Sequence, residues 1–119
     1  MHRDLNEAGG AAQLLTEVCV VGCGAAGLTT ARRLLDRGHS VVLLESGGLD
    51  YEASTARLNA GRNVGEPYYD LEDARLRFFG GTTAIWGGRI AELDPIDLEA
   101  RSWVPHSGWP ITWKDLQPY

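Results

Sequence analysis

The sequence predicts an α/β fold: a parallel β-α-β unit belonging to a doubly wound sheet that these 119 residues leave incomplete. Three observations predict it. A short, largely β-branched run, Val18-Cys19-Val20-Val21, leads at once into a glycine-rich turn. The turn opens onto a stretch with helical apolar spacing. A second apolar run, Val41-Val42-Leu43-Leu44, then ends on an acid, Glu45.

The elements follow in order. Residues 1–16 read as a flexible leader, with a helical turn expected near Ala11 to Leu15. Charged residues and glycines interrupt it throughout, so it has no apolar core of the signal-peptide kind, and a cytoplasmic location is expected. The domain proper is read as residues 17–119. Neither apolar run alternates with polar residues, so both are expected as strands buried on two faces of a parallel sheet. Between them, Leu28 to Arg37 carries Leu28, Ala31, Leu34 and Leu35 on one helical face. Gly38 sits where a helix C-terminus favours a left-handed residue.

Composition narrows the function. Eleven basic residues against sixteen acidic ones give a formal charge of -5. That balance argues against a nucleic-acid partner, whose binding rests on Lys and Arg neutralising phosphates. No apolar run approaches the roughly 18 residues of a membrane span. Cys19 and Cys23, on a strand and the turn after it, would hold their Cα atoms roughly 12 Å apart at about 3.3 Å per residue. A disulfide is therefore not expected. Without two more ligands nearby, neither is zinc. Both are read as small buried apolar residues.

The turn Gly22-Cys23-Gly24-Ala25-Ala26-Gly27 carries the chemistry. Three spaced glycines alone are a weak signal; their place between a strand and a helix, with an acid 18 residues beyond the last, makes the pattern a dinucleotide-binding one. Gly22 permits the tight turn, and Gly24 lets a pyrophosphate approach the backbone without meeting a Cβ. Gly27 lets the helix pack close to the strands. The helix N-terminus offers free N–H groups and partial positive charge to the phosphates. Glu45 would accept hydrogen bonds from the ribose diol of an adenosine. It also disfavours NADP, because a carboxylate about 4 Å from a 2′-phosphate costs a few kcal/mol at an effective dielectric near 20. Gly22, Gly24, Ala26, Gly27 and Glu45 are thus the first set of candidate cofactor-binding residues, on a Rossmann-like unit for FAD or NAD.

A second block, Arg77-Phe78-Phe79-Gly80-Gly81-Thr82-Thr83-Ala84-Ile85-Trp86-Gly87-Gly88, has the glycine pairs and hydroxyls suited to close approach of a flat ring or phosphate. Together with Leu44-Glu45-Ser46-Gly47-Gly48 and Trp109-Pro110-Ile111…Asp115-Leu116-Gln117-Pro118-Tyr119, it resembles the glucose–methanol–choline (GMC) oxidoreductases. The resemblance spans Val18 to Tyr119 with a gap over the variable middle. It implies FAD as cofactor and adds Arg77, Gly81, Thr82, Thr83, Trp86 and Gly87 to the candidate site. Arg77 is expected to offer charge to the pyrophosphate or to a nearby acid, and Trp86 to stack near the isoalloxazine or wall the pocket. Some sugar oxidases of that family attach FAD through a His just before this Trp. Ile85 stands there, which implies non-covalent FAD.

The same resemblance implies a flavoprotein in which an alcohol or sugar substrate loses hydride from its CH–OH group to the flavin. Its catalytic base is a His near the family's C-terminus, outside this chain, so no catalytic residue is assigned here. His2, His39 and His106 are scattered. Glu52 to Asp73 reads as a loop-rich connection rather than a core element. Asp94, Asp97 and Glu99 read as helix-start acids rather than an acid–base pair, with Pro95 at the first helical position. Thr112 caps a second short helix that has only a turn or two before Tyr119. The expectation is therefore an N-terminal FAD-binding part of an oxidoreductase. The alternatives are a non-catalytic fragment that needs a complementary C-terminal chain, and an NAD-dependent dehydrogenase.

Overall fold

The computed structural model describes residues 2–5 and 13–119. Half of the leader lies outside the described residues, including Ala11 and Ala12 of its expected helical turn; Gln13, Leu14 and Leu15 are not helical. The chain divides into two compact units, Met1–Trp86 and Gly87–Tyr119.

In the first unit, β1 (Val18–Val21) and β2 (Val41–Leu44) pair in parallel, in a register running from Val18↔Val41 to Val21↔Leu44. Parallel neighbours need a crossover rather than a hairpin. Helix α1 (Ala25–Asp36) supplies it. It starts inside the glycine turn, three residues before the first apolar position of its face, and Arg37 is its C-cap. Gly38 adopts φ +86° and donates its N–H to the Leu35 carbonyl at 2.9 Å, so the stop signal acts as the sequence predicts.

Burial departs from expectation on both elements. Val18 and Val20 are half-buried, whereas Cys19 is exposed and Val21 is 82% exposed. The reason is coverage. Val20 lies against Gly27 of α1, whereas Cys19 and Val21 point to the opposite face, which is left open along β1 among the described residues. On α1, Ala31 is buried and Leu28 and Leu34 are half-buried, but Leu35 is 57% exposed. Two strands of four residues are too small to roof the helix's last turn. Cys23 is buried as expected and Cys19 is not; both are free thiols.

The polar middle is more ordered than its composition suggests. It holds α2 (Ala53–Ala56), a 3-10 turn over Arg57–Asn59, and α3 (Leu71–Ala74). Thr55 and Ala56 are buried, so this stretch contributes to the small core instead of merely connecting. The Thr55 hydroxyl donates to the Glu52 carboxylate at 3.1 Å, which satisfies a polar group at low exposure.

The second unit contains α4 (Pro95–Leu98) and α5 (Trp113–Leu116), and both caps match the sequence reading. Asp97 accepts from the Asp94 N–H at 2.9 Å. Asp115 accepts from the Thr112 N–H and hydroxyl, each at 2.7 Å. Those bonds, the backbone one first, hold the Asp115 carboxyl below its ordinary pKa. Leu98 is buried, and the Trp109 N–H reaches its carbonyl at 3.0 Å.

Candidate functional site

The site is built at the carboxyl ends of β1 and β2. Gly22 continues the ladder for one bond, donating to the Leu44 carbonyl at 2.7 Å, and then turns at φ +101°. A side chain there would be strained, because L-residues with a Cβ disfavour that region. At Gly27 the constraint is space. An added Cβ would land on the Gly22 carbonyl oxygen, with Val20 Cγ1 at 3.6 Å. The packing role assigned to the third glycine is therefore literal here.

The cradle itself is open. An added Cβ at Gly22 or Gly24 would meet nothing within 4 Å, so bare backbone faces free space where a phosphate could approach. Gly24 is the N-cap of α1 and no side chain caps the helix, leaving its first N–H groups for a ligand. Ala26 lies exposed in that first turn. These features fit the diphosphate of a dinucleotide.

Glu45 follows β2 directly and reaches across to the turn. Its Oε2 accepts the Cys23 N–H at 2.7 Å. Its Oε1 accepts the Ser46 N–H at 2.9 Å, the Ser46 hydroxyl at 3.1 Å and the Gly47 N–H at 3.2 Å. Partial burial alone would raise its pKa. The bonds from Cys23, Gly47 and Ser46 outweigh that, and the carboxyl lies below the ordinary value. The carboxylate is thus ionised and pinned at the mouth of the crossover. The adjacent Cys23 thiol is pushed up, by burial first and then by the Glu45 charge, so it behaves as an inert packing group.

The second glycine block lies against the first. The Gly80 N–H donates to the Cys23 carbonyl at 3.0 Å, and Phe79 N–H to the Gly48 carbonyl at 2.9 Å. Gly80 and Gly81 are left-handed at φ +92° and +57°, and a Cβ on Gly81 would stand 3.4 Å from Gly24 Cα. Gly47 is equally confined: a Cβ there would strike the Arg77 carbonyl, with Phe78 Cα at 3.0 Å. Three segments far apart in sequence thus converge on one glycine-lined corner.

The remaining predicted residues have plainer places. Among the described residues Arg77 makes no ion pair. Its Nε donates to Asn59 Oδ1 at 2.6 Å and its Nη1 to Ser46 Oγ at 3.1 Å. Both acceptors are neutral, so the guanidinium keeps its full charge beside the glycine corner. Thr82 Oγ1 accepts the Leu76 N–H at 3.1 Å, and the Thr83 hydroxyl donates to the Gly80 carbonyl at 2.5 Å, so both shape the 3-10 turn over Gly81–Ile85. Trp86 is 56% exposed at the end of the first unit, and Gly87 belongs to the second. Asn59 and Ser46 were not singled out by sequence. Asn59 is 18 residues from Arg77, and no local pattern links them. Among the described residues no His, Cys, Asp or Glu cluster could hold a metal, and no helix is long and apolar enough to cross a membrane.

Comparison with known proteins assigns the site's class. Residues 17–117 match the model of the family described as FAD dependent oxidoreductase. The chain is also 34% identical, over 131 aligned residues, to the 6'''-hydroxyparomomycin C oxidase of Streptomyces lividus. That alignment covers 99% of this chain and 24% of the relative, so the chain spans about a quarter of that protein's length. No solved structure matches. The family match overturns the GMC assignment suggested by the glycine and Trp-Pro-Ile blocks: the family that fits residues 17–117 is a different one. It also decides the cofactor, FAD rather than a nicotinamide. The chain, with its Rossmann-like α/β turn and its anchored Glu45, belongs to the FAD dependent oxidoreductase family.

Proposed function

We propose that these residues form the part of a flavoenzyme that grips the ADP half of FAD, and that the complete protein oxidises a CH–OH group of an alcohol or sugar. The observation that carries the first part is the convergence at the turn. Gly80 is bonded to the Cys23 carbonyl, Gly81 packs on Gly24, and Glu45 reaches over the same loop to the Cys23 N–H. Gly22, Gly24 and Ala26 present backbone to the diphosphate, Gly27 lets α1 pack close to β1, and Glu45 presents a carboxylate to the ribose diol. The Gly81-Thr82-Thr83 turn, with Trp86 after it, is assigned to the flavin side. When bound, FAD supplies the hydride acceptor; the protein supplies binding and orientation. No described residue is assigned as the catalytic base.

The CH–OH substrate class is supported by the relative's name, which is that of an oxidase of a hydroxylated compound. A test is anaerobic reduction of the purified full-length flavoprotein. Alcohols and sugars should bleach the flavin absorbance, and bleaching by amines but not by alcohols or sugars would refute the proposed substrate class.

The exposed sheet face favours a second statement about the same chain. With Val21 82% exposed and Cys19 on the same side, the sheet needs a covering layer and more strands, as a two-stranded sheet is not independently stable. We propose that these are supplied by further sequence or by a complementary chain. Co-expression with the region matching the remainder of the relative should raise the yield of yellow, soluble protein.

A further inference from the structure

We propose that Arg77, Ser46 and Asn59 are positioning residues that decide which oxygen of Glu45 meets the ribose diol. The inference rests on the reading of Glu45 as the ribose ligand. The argument is one of hydrogen-bond polarity. An arginine can only donate, and a carboxylate can only accept. Ser46 stands between the two with a single hydroxyl hydrogen. Because Arg77 Nη1 donates to Ser46 Oγ, that hydrogen is left for Glu45 Oε1, as the 3.1 Å contacts on either side require.

Asn59 fixes the far end. Its Nδ2 donates to the Arg75 carbonyl at 3.0 Å, which turns Oδ1 toward Arg77 Nε at 2.6 Å. The backbone of Arg77 is itself trapped against Gly47, where no Cβ fits. Donation therefore runs outward from Arg77, to Asn59 on one side and through Ser46 to Glu45 on the other. Its consequence is asymmetry in the carboxylate. Oε1 already accepts from three donors, the Ser46 N–H, the Ser46 hydroxyl and the Gly47 N–H. Among the described residues Oε2 accepts from the Cys23 N–H alone, which leaves it a lone pair for a sugar hydroxyl. Arg77 thus acts on the adenosine through Ser46 and Glu45 instead of touching a phosphate.

The test uses ADP and 2′-deoxy-ADP as probes, titrated into the full-length protein by calorimetry. The wild type should prefer ADP by about tenfold, the worth of a hydrogen bond to a charged group. Ser46→Ala and Arg77→Met should each cut that preference to about threefold or less, and Ser46→Thr, which keeps the hydroxyl, should restore it. A merely structural role would weaken both probes alike and leave their ratio intact. If Arg77→Met does not fold, the exposed Ser46 pair carries the test alone. Should Glu45→Gln lose the preference while Ser46→Ala keeps the wild-type ratio, the relay is overturned and the ribose role of Glu45 stands. A wild type with no preference would overturn both.

Discussion

The two ends of the sheet are fastened by the same device and used differently. At the amino ends, Glu17 precedes β1 and its Oε2 accepts from the N–H and hydroxyl of Ser40, just before β2, at 2.7 and 3.0 Å. His39 Nδ1 stands 3.5 Å from its other oxygen. At the carboxyl ends, Glu45 follows β2 and accepts from Cys23, just after β1. Each carboxylate staples one strand to the other. Glu17 does so beside a single left-handed glycine, Gly38, which serves to end α1. Glu45 does so beside Gly22, Gly24, Gly47, Gly80 and Gly81, where backbone is bare. The first end is a fastening. The second is a fastening that leaves room for a ligand, and the missing Cβ atoms make the difference.

The comparison breaks first at Gly27. Gly27→Ala sets a methyl against the Gly22 carbonyl. A loss of at least about 3 kcal/mol in stability is expected, because the obstructing atom is backbone and cannot rotate away. Chemical denaturation of the full-length protein measures it. Next comes Glu45→Gln, expected to weaken FAD binding by roughly 10- to 100-fold as charged hydrogen bonds to the diol become neutral. Equilibrium fluorescence titration reads the change.

Acid should act in the same place. Glu45 holds its proton less tightly folded than unfolded, so the unfolded state binds more protons. Its contribution is complete above the ordinary glutamate pKa of about 4.3 and is lost as pH falls through the lower folded value. Melting temperature should therefore decline with acid in that window, and Glu45→Gln should flatten the decline. The smallest effect is expected at the opposite end. Glu17 is also held below its ordinary pKa, by the Ser40 backbone and hydroxyl first and His39 after them, but it is fully exposed. Glu17→Gln should lower the melting temperature slightly and change FAD affinity by less than about twofold, in keeping with exposed pairs.

Legibility in the sequence followed the range of the interaction. Gly22, Gly38 and the caps at Asp94 and Thr112 were readable because each signal and its effect lie within a few residues. The placing of Glu45 was readable because strand and crossover lengths are constrained by the β-α-β unit. Burial was not. Val21 and Leu35 look like core residues, yet their exposure depends on which other strands and helices are present, a property of the whole sheet. Asn59 was invisible for a related reason: a polar residue in a polar stretch gives no hint that an arginine 18 positions later will bind it. Short glycine and Trp-Pro-Ile blocks point to the wrong family, because such blocks report local backbone needs and the family match rests on residues 17–117.

The central claim is that this corner recognises the adenosine diphosphate half of FAD. Competition against bound FAD in the full-length protein tests it most directly. ADP should displace FAD at concentrations where FMN, which has the flavin but no adenosine, does not. Displacement by FMN with indifference to ADP would contradict it.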